Sequence, residues 1–472
     1  MTFTDPTASE ALAAIRSGDL SVETYVAALL ARVAAGRDLN AFIAVDAEHV
    51  LKAARAADKC HAAGEKLGPL HGLPLALKDN IDTLDYPTTG GTPALKNHRP
   101  GRNAPVVQSL VGAGAIVFGK ANLHELAFGI TSNNAAYGPA KNPYDPTRIS
   151  GGSSGGTAAA LAARLVPAGL GTDTGGSVRI PSSLCGVAGL RPSMGRYSQA
   201  GVIPISRTRD TVGPMARSVA DLALLDGVIT GSPLRIEAHD LEGLRIGVPR
   251  QHYYERLDED TAAVVEDALW RLRDYGIELV EADIADIGSV HMAADQVIVR
   301  AEAIPELERY LAEFDGAPDA RAVVAAVASP DVKAILDDLI TGGAPGADDY
   351  REALETLRPK VQAMYRDYFK ENGVVAAVFP ATPLPAARIG DDKTVLLAGK
   401  KVPAFNTFFR NTSPASIAGT PGLTLPAGLT PRGLPVGIEF DGPAGSDRNL
   451  LAVALAVEAC EPAFPAPDLG NP

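Results

Sequence analysis

The chain has 472 residues, 46% hydrophobic and 21% charged, enough to bury a sizeable core in one large domain or two to three smaller ones. Its formal charge of −13 is spread without a basic run, which argues against a surface that tracks nucleic-acid phosphates. The three cysteines, Cys60, Cys185 and Cys460, are odd in number and far apart, and the eight histidines form no H-x-x-H or H-E-x-x-H pair, so neither a disulfide framework nor a metal site is expected.

The N-terminal stretch MTFTDPTASEALAAIRSGDL lacks a basic region followed by an apolar block, and no later apolar run is long enough to span a membrane. Together with the cysteine usage this predicts a cytoplasmic protein. Val22, Val26, Leu29, Leu30 and Val33 share one face at helical spacing, and the helix they predict ends at Gly36. The run Leu73–Leu77 reads as a buried strand that delivers Lys78-Asp79-Asn80 at its end, and Ala115–Phe118 as another. The preceding GAGAIVFG places its strand-like residues after the glycines, so it reads as a turn into a strand and not as a dinucleotide fingerprint.

Asn142–Pro146 reads as turn, and SGGSSGGT follows at 150–157. A helix is expected from about Thr157 to Leu165, then a break at Pro167 and a short strand up to Asp173, before the second glycine run Thr174-Gly175-Gly176-Ser177. From about 235 to 370 the sequence turns charged, alanine-rich and periodic, predicting helices and loops wrapped around a sheet. Strands return at Val374–Phe379 and Ile438–Phe440. Alternating strands and helices, with no long linker and no internal repeat, predict an α/β fold built as a single large domain over 1–472.

SGGSSGGT could cradle a phosphate, carry a nucleophile or act as a linker. A phosphate loop needs G-x-x-x-x-G-K-[ST], and no lysine follows Gly156. It matches the nucleophile-elbow pattern G-x-S-x-G twice, as any GGSSGG does, but a turn and not a strand precedes it, and no serine is followed by lysine at S-x-x-K spacing. A serine can instead be activated by a neutral lysine, whose pKa of about 10.4 must fall by several units at about 1.4 kcal/mol each through burial or a neighbouring positive charge. Lys78, at the end of an apolar strand, is the candidate; the plainer reading is a surface lysine beside Asp79. Thr174 to Ser177 offers consecutive backbone N–H groups, two of them on glycines, as an oxyanion hole requires.

HGLPLALKDNID (71–82), GGSSGGTAAALAA (151–163) and GTDTGGSVRIPSSLCGVAGLRPS (171–193) together resemble the amidase signature family, with a signature core over about 71–193 and weaker similarity reaching both ends. The resemblance implies a central mixed sheet covered by helices on both faces. It further implies a Ser-cisSer-Lys triad, with Ser177 as nucleophile, Ser153 as bridging serine after a cis peptide bond, and Lys78 as base. The amides of Thr174, Gly175, Gly176 and Ser177 correspond to the family's oxyanion hole. Asp173 and Arg179 are expected to lock the loop by ion pairing, Ser154 to hydrogen-bond behind the triad, and Ala127 and Thr131 to lie in the acyl-pocket stretch.

The reaction implied is hydrolysis of a small carboxamide through an acyl-enzyme, with no cofactor and no metal; ester and carbamate substrates remain open, as do a homodimer and an idle scaffold. The amidotransferase branch is disfavoured, because Ile180 and not glutamine follows Arg179, and Met194 follows Arg191-Pro192-Ser193. Residues 195–226 are instead similar to mandelamide and indoleacetamide hydrolases, which points to a primary amide bearing an aromatic ring.

Overall fold

Short apolar runs rich in valine, leucine and alanine become the strands of one mixed sheet in the structure, a computed structural model that describes residues 5–469. The first four residues of the N-terminal stretch read above lie outside that range. In chain order the strands are β1 (Phe42–Ala44), β2 (Pro74–Lys78), β3 (Ile116–Ala121), β4 (Ala168–Asp173), β5 (Ala188–Arg191), β6 (Thr211–Ala216), β7 (Arg245–Val248), β8 (Glu278–Glu281), β9 (Ala376–Pro380), β10 (Gly422–Leu429) and β11 (Pro435–Asp441). Across the sheet they run β1-β3-β2-β4-β6-β5-β10-β11-β9-β7-β8. β2, β3 and β4 are mutually parallel, as are β9, β7 and β8, while the centre from β4 through β9 is antiparallel. The fold is a single large α/β domain.

β2, β4, β6, β9 and β11 are buried at every position, as expected of strands covered on both faces. Leu75 and Leu77 enter one core cluster and Ala76 another, which is the two-residue alternation of a strand. The N-terminal helix spans Val22–Ala35, with Val22, Val26 and Leu29 buried and Leu30 and Val33 half-buried.

The structure moves several predicted boundaries. β3 runs through Lys120 to Ala121, and the helix placed at 157–165 spans Gly155–Ala162, starting inside the glycine run. The turn at 142–146 joins a two-stranded ribbon of Lys141–Asn142 and Asp145–Ile149. The 235–370 region is not only helix and loop, since it supplies β7 and β8 at one sheet edge. Its Ile287–Leu311 helix is the longest of the described residues.

Candidate active site

The parallel pairing of β2 and β4 sets Leu77 opposite Leu170, so both strands end side by side and bring Lys78 up to Thr172. Lys78 is fully buried, which overturns the surface reading. Its Nζ donates to Ser153 Oγ at 2.7 Å and Thr172 Oγ1 at 2.8 Å, with the Thr172 carbonyl at 3.4 Å. Burial lowers its pKa to about 7, against the opposing pull of Asp173 and Asp210.

Ser153 lies between the 145–149 strand and the Gly155–Ala162 helix. Gly151 takes φ 79, a left-handed conformation that glycine adopts without steric cost, and the Gly152–Ser153 peptide is cis. The Ser153 carbonyl accepts from His124 N (3.1 Å) and Ser132 Oγ (3.3 Å). Ser154 Oγ donates to the Thr172 carbonyl and accepts from Thr172 N, both at 3.2 Å. It therefore braces the strand residue that holds Lys78. Ser154 N also donates to the Ser177 carbonyl at 3.1 Å, joining the two glycine turns at their backbones.

The second turn is built around Asp173. Its carboxylate accepts from Gly176 N (2.8 Å), Val178 N (3.2 Å), Arg179 Nε and Nη2 (3.0 Å each) and Arg191 Nη1 (3.0 Å). Burial alone would raise this carboxyl group, but the Arg179 and Arg191 guanidiniums hold it well below the ordinary carboxylate range. Arg179 also pairs with Glu439 and donates to Ser416 Oγ at 2.8 Å. Asp173 and Arg179 thus face each other inside the loop.

The Gly176 amide is committed to Asp173, whereas the amides of Thr174, Gly175 and Ser177 make no hydrogen bond among the described residues. Ser177, 8% exposed, likewise makes no side-chain hydrogen bond among the described residues. Thr174 Oγ1 donates to Asp210 Oδ1 at 2.6 Å.

Ala127 is buried at φ 62, and Thr131 Oγ1 engages His124 Nδ1 and Asn133 N, both at 3.3 Å, not Lys78, Ser153 or Ser177. His124 in turn meets Asp331 at 3.0 Å, tying this stretch to the helical region.

Sequence reasoning missed Thr172, Arg191 and Thr412. Thr172 and Arg191 lay inside the third motif, and for Thr172 the apolar-to-hydroxyl step from Leu170, just before that motif, was the available signal. Thr412, whose Oγ1 donates to the Gly175 carbonyl at 2.6 Å, comes from a distant segment and carried none. A cavity of about 960 Å³ lies elsewhere, lined by Tyr144, Arg164, Arg217, Arg271, Glu458 and Phe464 among others and by no residue of the glycine turns. Among the described residues no group of three or more His, Cys, Asp or Glu is arranged to hold a metal, and no helix is long and apolar enough to cross a membrane.

Residues 24–451 match the family model described as Amidase. The chain is 44% identical over 450 residues to the indoleacetamide hydrolase of Agrobacterium vitis, covering 95% of this chain and 96% of that one. It is 41% identical over 468 residues to the mandelamide hydrolase of Pseudomonas putida, covering 96% and 91%. The crystal structure of native peptide amidase from Stenotrophomonas maltophilia superimposes with a TM-score of 0.87 at 29% identity, covering 100% of both chains.

Proposed function

The chain belongs to the amidase family and is an amide-hydrolysing enzyme; from that premise we propose that its substrate is a small primary carboxamide bearing an aromatic ring, cleaved by Ser177, Ser153 and Lys78 to a carboxylic acid and ammonia. The observation that carries the chemistry is the 2.7 Å contact between the buried Lys78 amine and Ser153 Oγ. The names of the two hydrolases above support the aryl-amide class.

Above about pH 7 the Lys78 amine is neutral and accepts the Ser153 proton, while its own hydrogens remain satisfied by Thr172. Ser153 takes the proton of Ser177 as the Ser177 oxygen attacks the amide carbonyl carbon. The oxyanion that forms is received by amides of the 174–177 turn, with Thr174, Gly175 and Ser177 supplying the unengaged N–H groups. The C–N bond then breaks, and the proton returns through Ser153 to the nitrogen, which leaves as ammonia. Water, deprotonated along the same path, attacks the acyl-enzyme and releases the acid. The unpaired cysteines support work in a reducing, cytoplasmic setting.

The test is ammonia release from phenylacetamide, mandelamide, indole-3-acetamide, glutamine and butyramide, with fluorophosphonate labelling in parallel. Ser177→Ala should abolish both turnover and labelling while circular dichroism stays native. Turnover that survives this substitution overturns the assignment of the nucleophile, and equal rates across the panel overturn the aryl preference.

A further inference from the structure

The helix Ala404–Phe409 ends with Phe409 against Gly175 of the nucleophile turn. The approach is close enough that a Cβ placed on Gly175 would lie 2.0 Å from Phe409 Cε2. Phe405, one helical turn earlier, stacks on Phe409 with ring centroids 5.0 Å apart and an interplanar angle of 28°. Exposure rises from 7% at Phe409 to 41% at Phe405, so the two rings run from the turn that carries Ser177 out to solvent. The Arg209 guanidinium lies 5.8 Å from the Phe409 ring centroid and is neutralised by its ion pair with Asp295, leaving an environment suited to an uncharged ring.

We propose that Phe409, extended by Phe405, is the specificity-determining wall against which the aromatic ring of the substrate's acyl group packs. This rests on the aryl-amide reading above. A carbonyl seated at the Gly175 and Ser177 amides lies beside Gly175, the residue that Phe409 covers. A planar substituent there extends the existing stack, and offset or edge-to-face aromatic pairs gain energy beyond the area they bury. An aliphatic acyl group gains only the area it buries.

The experiment compares kcat/KM for phenylacetamide and butyramide in the wild type, Phe409→Leu, Phe409→Tyr and Phe405→Leu. Phe409→Leu should lower the phenylacetamide-to-butyramide ratio about tenfold, chiefly through KM for the aryl amide, and Phe405→Leu about threefold. Phe409→Tyr, which keeps the ring, should keep the ratio. Fluorophosphonate labelling of Ser177 reports the integrity of the turn in each variant, and if Phe409→Leu fails to label, the exposed Phe405→Leu decides. A wild-type ratio near one overturns the aryl-amide reading and this inference with it. A clear wild-type preference that survives both leucine substitutions overturns the inference alone.

Discussion

Thr412 Oγ1 donates to the Gly175 carbonyl at 2.6 Å, across 237 residues of chain. The same peptide unit presents its N–H, that of Gly176, to Asp173 Oδ1 at 2.8 Å. One peptide plane is therefore pinned at both ends, and the amides on either side, Gly175 N and Ser177 N, take their directions from it. Thr412 thereby positions the amides of the proposed oxyanion site.

Thr412→Val should lower kcat about tenfold with little change in KM, because the lost hydrogen bond orients donors that matter most when the oxyanion forms. Thr412→Ser, which restores the hydroxyl, should recover most of the rate. Equal losses in the valine and serine variants, or a loss confined to KM, would assign Thr412 to packing alone.

The depressed pKa of Lys78 gives the second prediction, in activity and in stability. With the neutral amine as the proposed base, log(kcat/KM) should rise with unit slope below about pH 7 and level off above it. For stability, the folded value of about 7 lies below the ordinary 10.5, so between these pH values the unfolded chain binds more protons. The contribution of this group to stability therefore rises with pH across that window and is least favourable below it. Urea denaturation of wild type and Lys78→Met at pH 7 and pH 9 should show the stability difference moving in favour of the wild type toward pH 9, by up to roughly 1.4 kcal/mol per pH unit. A constant difference would remove Lys78 as its source.

Asp173 faces two buried guanidiniums, and its substitution should act mainly on folding. Asp173→Asn leaves Arg179 and Arg191 short of a compensating charge in the interior and should cost about 3–5 kcal/mol. Its folded pKa lies below the unfolded 3.8, so its contribution is present above about pH 4 and lost as pH falls toward the folded value. Acid unfolding of the wild type should thus begin below pH 4, and the variant should lose this component of the transition. A variant as stable as the wild type at pH 7 would show that the arginines are satisfied by Glu439 and carbonyls alone.

The proposed triad could be named from the sequence because its residues sit in two glycine runs and at one strand end. Lys78 follows an unbroken apolar run, which marks a buried strand whatever the fold. The partners that hold the site were not legible, because they meet through strand register and chain crossing. Thr172 reaches Lys78 only because β2 and β4 pair with Leu77 opposite Leu170. Phe409 and Thr412 reach Gly175 from more than 200 residues away. β7 and β8 escaped detection for a different reason. Arg245–Val248 and Glu278–Glu281 are four residues each, and the second is a polar sheet edge with both end residues exposed, so neither carries the long apolar signal of a buried strand.

The glycine turns supply a last prediction, in which two substitutions of the same kind should behave differently. A Cβ on Gly175 would meet Phe409 ring atoms at 2.0, 2.8 and 3.0 Å, all in one side chain. A Cβ on Gly156 would meet the Asn122 carbonyl at 2.3 Å, the Ala41 carbonyl at 2.5 Å and Asn122 N at 2.5 Å, all backbone. Gly175→Ala should therefore displace the turn and slow fluorophosphonate labelling of Ser177 by about a hundredfold. The double variant Gly175→Ala with Phe409→Ala should recover labelling, because the obstacle has been removed. Gly156→Ala should instead push the Gly155–Ala162 helix off β3 and cost about 3 kcal/mol of stability. Truncating neighbouring side chains should not restore it. Should the Gly175 double variant remain unlabelled, the turn needs glycine at 175 for its own backbone conformation and not for the approach of Phe409.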